Sequence, residues 1–289
     1  MQYTEANLLF RPAESAADPT LITRVTADQA GWDLLNMEVR RLNKDAEWAH
    51  ETGDCEAALV ILGGRCRVTS NQGSWETLGE RPDVFSGKPY ALYLPRHTAF
   101  KLTALTDNFE IAHCWVPTDR DHPAALVTPA ESQSELRGGH NASRQINGVI
   151  MPGFDCHRIV CCEVYTPGGN WSSYPPHKHD SHRTDNAGNL TEADLEEFYF
   201  YKIDKPGGYA LQRIYTDDRR IDSAVVAHDN DIVLVPEGYH PVSAAYGYNC
   251  YYLNFLAGSA QSLACSDDPA YAWTKDTWSE LDPRVPLVR

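Results

Sequence analysis

The chain has 289 residues, of which 42% are hydrophobic and 22% charged, enough apolar side chain for one large domain or two ordinary ones. Its 40 acidic and 25 basic residues give a formal net charge of -15, which repels nucleic acids and anionic membrane surfaces. No apolar run approaches the roughly 20 residues that a membrane-spanning helix needs, and the N-terminus lacks the pattern of a signal peptide. We therefore expect a cytoplasmic protein that binds neither nucleic acid nor membranes.

Taken in chain order, the sequence predicts many short strands separated by turns. Residues 26–42, "TADQAGWDLLNMEVRRL", carry the strongest helical periodicity, although a loop with one strand fits them equally well. Apolar or alternating runs rich in β-branched and aromatic residues follow at 56–70, 90–100, 231–240 and 249–258. Most of the eight cysteines lie in such stretches without a paired CxxC array, which indicates reduced thiols in the core. Strands without alternating helices favour a sandwich or barrel, so we expect an all-β protein.

One arrangement of strands occurs twice in the chain. Residues 91–117 and 232–258 each contain an apolar strand ending in proline, a short turn, an alternating stretch and a second apolar strand. A polar segment at 127–148 separates the two halves and reads as a linker. The sequence therefore predicts two tandem domains, residues 1–140 and residues 141–289.

The second half carries a pattern of metal-ligating side chains. His177 and His179 are two residues apart, so on a strand both imidazoles project from the same face. Glu197 precedes an aromatic strand, and His240 ends the turn "PEGYH". Three imidazoles and one carboxylate suit a transition metal such as Zn, Mn or Fe far better than Ca or Mg. The adjacent Glu196 is expected to face the loop or solvent, because neighbouring strand residues point to opposite sides.

The first half lacks an equivalent set of ligands. "WAH", residues 48–50, precedes Glu56, which we match with Glu197 because each carboxylate leads into an apolar strand. Ala99 stands where the repeat would place the last histidine. We therefore expect one divalent metal per chain, bound by the second domain alone, and a degenerate first domain.

These residues carry a family resemblance. The spacing of the three histidines and Glu197, with "VPEGYHP", resembles the two motifs of the cupins, and the stretches "SSYPPHKHD", "LEEFYFYKI", "QRIYTDDRRID" and "YYLNFLAG" resemble the narrower family of 5-deoxy-glucuronate isomerases of myo-inositol catabolism. That family is related to the 5-keto-4-deoxyuronate isomerases. The resemblance covers most of the chain and implies two tandem cupin β-barrels of jelly-roll type, a bicupin. The gap between His179 and Glu197 is seventeen residues, longer than in a typical cupin, and sugar-acid isomerases of this kind also carry a loop there. We expect this polar loop, residues 180–196, to cover the cavity mouth as a lid or rim.

The resemblance implies a metal-dependent conversion of 5-deoxy-glucuronate to 5-dehydro-2-deoxy-gluconate, an aldose–ketose isomerisation in which a proton moves from carbon 2 to carbon 1. The metal would polarise the carbonyl as a Lewis acid. The general base is left open between Glu197, a cavity tyrosine such as Tyr252 and hydroxide on the metal. For the substrate carboxylate we favour Arg213 with Gln212 beside it, since strand parity places Lys178 outside.

Other functions stay open. A uronate isomerase of the 5-keto-4-deoxyuronate type and a metal-dependent dioxygenase can use the same ligands, and a bicupin without catalysis can bind or store sugar. An isomerase works without oxygen, whereas a dioxygenase consumes it stoichiometrically. The expected partner is a small sugar acid, and a homo-oligomer is compatible with the sequence.

Overall fold

A computed structural model describes residues 2–12 and 18–289 and shows a chain built almost entirely from β-strands. The prediction of an all-β fold is confirmed. The elements up to residue 127 are α1 Glu5–Leu8, β1 Leu9–Phe10, β2 Leu21–Val25, α2 Ala27–Ala30, β3 Asn36–Leu42, β4 Glu47–Glu51, β5 Cys55–Gly63, β6 Cys66–Ser70, β7 Gly73–Leu78, β8 Ala91–Leu94, β9 Ala99–Ala104, β10 Phe109–Pro117 and β11 Ala125–Val127. For residues 26–42 the strand interpretation holds, since only the short α2 is helical before β3.

The remaining elements form the second half of the fold. They are β12 Ser134–Arg137, β13 Arg144–Ile150, β14 Val160–Thr166, β15 Trp171–Ser172, β16 His177–Lys178, β17 Asp180–Thr184, β18 Leu190–Ile203, β19 Ala210–Tyr215, β20 Asp222–Ala227, β21 Ile232–Val235, β22 Val242–Ala244, β23 Cys250–Gly258, β24 Ser266–Asp267 and a 3₁₀ helix, Ala272–Thr277. None of the helices in the described residues has the length and apolar character needed to span a bilayer. All eight cysteines are free thiols, and Cys265 is exposed.

Each half is a sandwich of two sheets. In the first half, a sheet in the order β11-β8-β5-β10-β3-β2 faces a sheet in the order β4-β9-β6-β7. In the second half, the order β1-β21-β18-β23-β14-β13-β12 faces β15-β22-β19-β20, and β16 pairs with β24. Among the described strands, neither half closes into a continuous barrel, so the architecture is jelly-roll-like with open corners.

The two halves share backbone pairing and a core. Strand β1 joins the sheet of the second half, where Leu9 pairs with Val233 and Phe10 with Ile232. One cluster of buried apolar side chains includes both first-half strands such as β5 and second-half strands such as β18 and β23. The division near residue 140 stays a prediction.

The strand registers correct the repeat alignment by one residue. Ala57 pairs with Leu94, which precedes Pro95, whereas Glu197 pairs with Val235, which precedes Pro236. Ala57 therefore occupies the place of Glu197, and Glu56 corresponds to Glu196. The sequence match between Glu56 and Glu197 is wrong because it followed residue type rather than the proline that ends the neighbouring strand.

The two equivalent carboxylates each receive backbone N–H groups from the other half. Glu196 accepts hydrogen bonds from the amides of Asp33, Leu34 and Leu35 at 2.9, 3.1 and 2.8 Å. Burial raises its pKa, against the effect of those three donors. The prediction that Glu196 faces the loop or solvent is wrong, since its carboxylate binds the segment between α2 and β3.

Glu56 makes the reciprocal contact. Its carboxylate accepts from the amides of His157, Arg158 and Ile159 at 2.9, 2.7 and 3.2 Å and from the Tyr93 hydroxyl at 2.8 Å. The side chain is fully buried. A pair of carboxylates thus connects the halves through charge-assisted hydrogen bonds to backbone amides.

Candidate metal centre

Three ligand atoms converge inside the second half. His179 directly follows β16, Glu197 lies within β18, and His240 follows β21 at the end of its turn. Each residue offers one nitrogen or oxygen, and these atoms lie within 4.8 Å of one another. All three side chains are buried. In the described residues this is the one group of its kind.

Backbone carbonyls orient both imidazoles. The Nδ1 atom of His179 lies 3.2 Å from the carbonyl oxygen of Leu195, and that of His240 lies 2.9 Å from the carbonyl oxygen of Gly238. Because a carbonyl oxygen only accepts hydrogen bonds, Nδ1 carries the proton in each ring. In the neutral form of each ring, Nε2 is then unprotonated and faces the interior, as in histidines that bind metals.

Both Nε2 atoms face the same carboxylate oxygen. The Oε2 atom of Glu197 lies 2.9 Å from His179 Nε2 and 3.4 Å from His240 Nε2. Burial lowers the pKa of His240 to about 3, so its ring is neutral, and its Nε2 has no hydrogen-bond partner in the described residues. An imidazole lone pair aimed at a carboxylate oxygen is unfavourable unless a cation lies between them. The donor set therefore fits a transition metal.

Asn254 fixes the other oxygen of this carboxylate. Its Nδ2 donates to Glu197 Oε1 at 2.7 Å from the neighbouring strand β23. Such a partner holds a ligating carboxylate in one orientation. Sequence reasoning missed Asn254, although an amide at the same strand parity as Tyr252 within "YYLNFLAG" was a detectable signal.

His177 lies beside the three converging atoms but outside the closest group. Its ring centroid is 4.8 Å from that of His240 and 6.5 Å from that of His179. Burial lowers its pKa to about 3, so this ring is also neutral.

A cavity of about 410 Å³ opens onto these residues. Its wall includes His177, His179, Glu197, Tyr199 and Tyr252. The two phenols lie 3.0 and 3.3 Å from the hydroxyl of a serine at position 173. Burial raises the pKa of both tyrosines above the usual value, so both remain protonated at neutral pH.

Comparison with known proteins identifies the family. A model of the KduI/IolB family matches residues 8–274. The chain belongs to the KduI/IolB family. It is 41% identical to the 5-deoxy-glucuronate isomerase of Geobacillus thermodenitrificans over 257 residues, covering 89% of this chain and 92% of that one. The 5-deoxy-glucuronate isomerase of Bacillus subtilis strain 168 is 35% identical, with 88% and 92% covered.

Solved structures show the same fold. An IolB-like protein from Salmonella typhimurium superposes with a TM-score of 0.87 at 32% identity, covering 93% of this chain and 99% of that one. Oxalate decarboxylase of Bacillus subtilis superposes with a TM-score of 0.62 at 13% identity, covering 85% and 74%. The second likeness shows the fold alone. This KduI/IolB chain therefore has a cupin-like fold.

The KduI/IolB chain places the other predicted substrate residues away from the cavity. The Arg213 guanidinium is about 40% exposed and makes a bidentate ion pair with Asp222 at 2.8 and 2.9 Å. Gln212 is buried and accepts a hydrogen bond from Tyr201 at 2.8 Å. Neither residue lines the cavity, so of the three predicted substrate residues only Tyr252 does.

Lys178 is also directed away from the centre, as strand parity predicts. Its ammonium pairs with Asp217 at 2.7 Å and Asp180 at 3.2 Å. Asp180 in turn accepts from the amide of Gly238, whose carbonyl orients His240. The lysine therefore belongs to a polar network behind the histidines rather than to the cavity.

The segment 180–196 is a β-hairpin of β17 and β18 rather than a loop. None of its residues lines the cavity, so the prediction that it covers the cavity mouth is wrong. The mouth is lined instead by residues near the C-terminus, among them Cys265, Asp267, Lys275 and Trp278. Sequence reasoning missed the hairpin because the polar composition of this segment is typical of a loop. Strand β17 has no apolar face and is held by its backbone pairing with β18.

Proposed function

We propose that this chain is a metal-dependent aldose–ketose isomerase that converts 5-deoxy-glucuronate to 5-dehydro-2-deoxy-gluconate. The supporting observation is the convergence of two imidazole nitrogens and one carboxylate oxygen within 4.8 Å, beside a cavity that His179 and Glu197 line. Relatives at 33–41% identity that carry the name 5-deoxy-glucuronate isomerase supply the reaction.

One divalent metal, Zn, Mn or Fe, would be held by His179, Glu197 and His240, with His177 as the fourth ligand. His177 lines the same cavity, and its neutral ring lies next to that of His240. Bound there, a divalent cation would act as a Lewis acid on the aldehyde oxygen and the neighbouring hydroxyl. Harder cations such as Mg²⁺ or Ca²⁺ prefer sites built from oxygen, and this set is mostly nitrogen.

Glu197 is the proposed catalytic base. Its Oε1 atom is held by Asn254 within the cavity wall. The carboxylate takes the proton from carbon 2 and returns it to carbon 1, while the hydroxyl proton at oxygen 2 passes to oxygen 1. One C–H bond breaks and another forms, so no oxidant or reductant is consumed.

The two cavity tyrosines act as hydrogen-bond donors. Because burial keeps Tyr199 and Tyr252 protonated, neither serves as a base at neutral pH. Each phenol can donate to a substrate hydroxyl in place of its present contact with the residue 173 hydroxyl.

The test is turnover under nitrogen with the purified protein. Formation of 5-dehydro-2-deoxy-gluconate should proceed without oxygen, stop on chelation and return when metal is restored. A parallel assay with a 5-keto-4-deoxyuronate separates the two sugar-acid isomerases. A requirement for stoichiometric oxygen would replace the proposal with a dioxygenase.

A further inference from the structure

The Arg144 side chain is a buried cation in the wall of the proposed active-site cavity. It begins β13, is 5% exposed and lines the same cavity as the metal centre. Its Nη1 atom donates to the carbonyl oxygens of Ala142 at 3.3 Å and Tyr174 at 3.1 Å. Burial lowers its pKa to about 10, which reflects the loss of water around the guanidinium.

Arg144 has no carboxylate partner. Within residues 2–12 and 18–289, no carboxylate oxygen lies within 4.0 Å of its nitrogens, and Nε and Nη2 make no hydrogen bond. Neither atom is fully buried without a partner, so each keeps some accessible surface, and the side chain lines the cavity. The guanidinium therefore presents two donors to a ligand.

The other cations of this cavity are already neutralised. Arg137 makes a bidentate pair with Glu135 at 2.9 and 2.7 Å, and Lys275 pairs with Asp267. Both cationic side chains are about half exposed at the cavity mouth. Among the described residues that line the cavity, Arg144 is the one cation that is both buried and unpaired.

A buried, unpaired guanidinium costs folding free energy, and an anionic ligand would offset that cost. The planar fork of donors matches a carboxylate, which it binds through two parallel hydrogen bonds. A neutral sugar has no group that neutralises the charge. The site is therefore suited to a carboxylate at the unreactive end of the substrate.

Arg144 is connected to the metal centre through one short segment. Arg144 donates to the carbonyl oxygen of Tyr174, and the chain runs from there through Pro175 to His177. Both of these segment residues line the cavity. A ligand in the cavity can thus contact the guanidinium and the imidazole set together.

We propose that Arg144 binds the carboxylate of the substrate and selects sugar acids over neutral sugars. The inference rests on the proposed function for the identity of that acid. Arg144 replaces Arg213, the residue favoured by sequence reasoning, as the specificity-determining cation.

The test compares two substrates that differ only at this group. The metal-loaded protein is assayed with 5-deoxy-glucuronate and with 5-deoxy-glucose, in which a hydroxymethyl group replaces the carboxylate. In Arg144→Gln, kcat/KM for the acid should fall about 30-fold to 1000-fold, as expected for loss of one partner of a buried charge pair. For the neutral sugar it should change less than 3-fold, with metal content unchanged.

Arg137→Gln is the matched control, because it removes a cation from the same cavity that is paired and half exposed. It should change kcat/KM for either substrate less than 3-fold. If Arg144→Gln fails to fold, Arg144→Lys keeps the charge without the fork and should lose at least about 5-fold on the acid alone. Equal losses on both substrates, or an unchanged preference for the acid, would overturn the assignment.

A binding measurement separates this inference from the proposed function. If the wild-type protein turns over neither substrate, calorimetry with D-glucuronate and D-glucose still tests Arg144. If Arg144→Gln binds D-glucuronate more weakly than the wild type does but binds D-glucose equally well, the carboxylate site is supported while the isomerase proposal fails. Equal affinity of D-glucuronate for the wild type and the variant would refute the site.

Discussion

Replacing Glu196 or Glu197 by glutamine should have opposite consequences, although the two residues are adjacent. Glu196 accepts three backbone amides, two of them on Oε2 from Leu34 and Leu35 and one on Oε1 from Asp33. A glutamine at 196 can keep its oxygen at the Oε2 position, but it then turns an NH₂ group toward the Asp33 amide. Asp33 is exposed, so water can replace that bond, whereas the charge assistance to all three is lost.

Glu196→Gln should lower the free energy of unfolding by about 2–3 kcal/mol. A hydrogen bond to a charged group contributes about 1.5–3 kcal/mol, and the substitution weakens such bonds without removing all of them. For a chain of this size that loss of free energy corresponds to a fall of roughly 4–10 °C in Tm. Metal content should stay the same, because the carboxylate contacts the other half of the fold and not the imidazoles. Glu56→Gln, at the equivalent position, should cost about 3–4 kcal/mol, since every orientation of the amide leaves a buried donor unpaired.

Glu197→Gln should instead leave the metal-free protein nearly as stable as the wild type and remove the metal. The loss of affinity should exceed the 10- to 100-fold that is typical of a residue behind a ligand. The assays are urea unfolding of the metal-free proteins and elemental analysis after dialysis. If Glu196→Gln loses metal while Glu197→Gln retains it, β18 is one residue out of register and every inward-facing assignment along it is wrong. An unchanged Tm in Glu196→Gln would refute the contact between the halves.

Three further substitutions test individual contacts. Asn254→Leu should weaken metal binding about 10- to 100-fold in a chelator competition, because Glu197 loses its orienting donor; unchanged affinity would contradict that role. Arg213→Gln should change kcat/KM less than 3-fold and stability by about 0–1 kcal/mol, since its pair with Asp222 is exposed; a large rise in KM would return this arginine to the substrate site. Replacing the hairpin tip, residues 185–189, by Asn-Gly should leave kcat and KM unchanged, and a loss of turnover would restore the lid hypothesis.

The side chains of the proposed metal site could be predicted to lie together because their signal is local. Strand parity directs Glu197, Tyr199 and Tyr201 to one side, and the structure places the first two in the cavity wall. Tyr201 has the same parity but lies deeper, where it bonds Gln212. Parity fixes the side of a strand but not the depth along it, which is why Gln212 is inward and still not in the cavity.

The contacts between the halves could not be read from sequence. Glu196 appeared solvent-facing because its partners, the amides of Asp33, Leu34 and Leu35, are about 160 residues away and belong to the backbone. Arg144 was overlooked for a related reason. It lies in a polar stretch that resembles a linker, and only the folded chain shows that its guanidinium is buried beside the metal centre.

The central claim is that one metal at this centre carries the isomerisation, and titration of the metal-free protein tests it most directly. Protein stripped by chelation is supplied with increasing amounts of Zn, Mn or Fe under nitrogen, and turnover of 5-deoxy-glucuronate is measured at each step. The first half has Ala57 and Ala99 in place of Glu197 and His240, so activity should rise linearly and level off at one metal per chain. Full turnover by the stripped protein, or a plateau that requires two metals, would contradict the account.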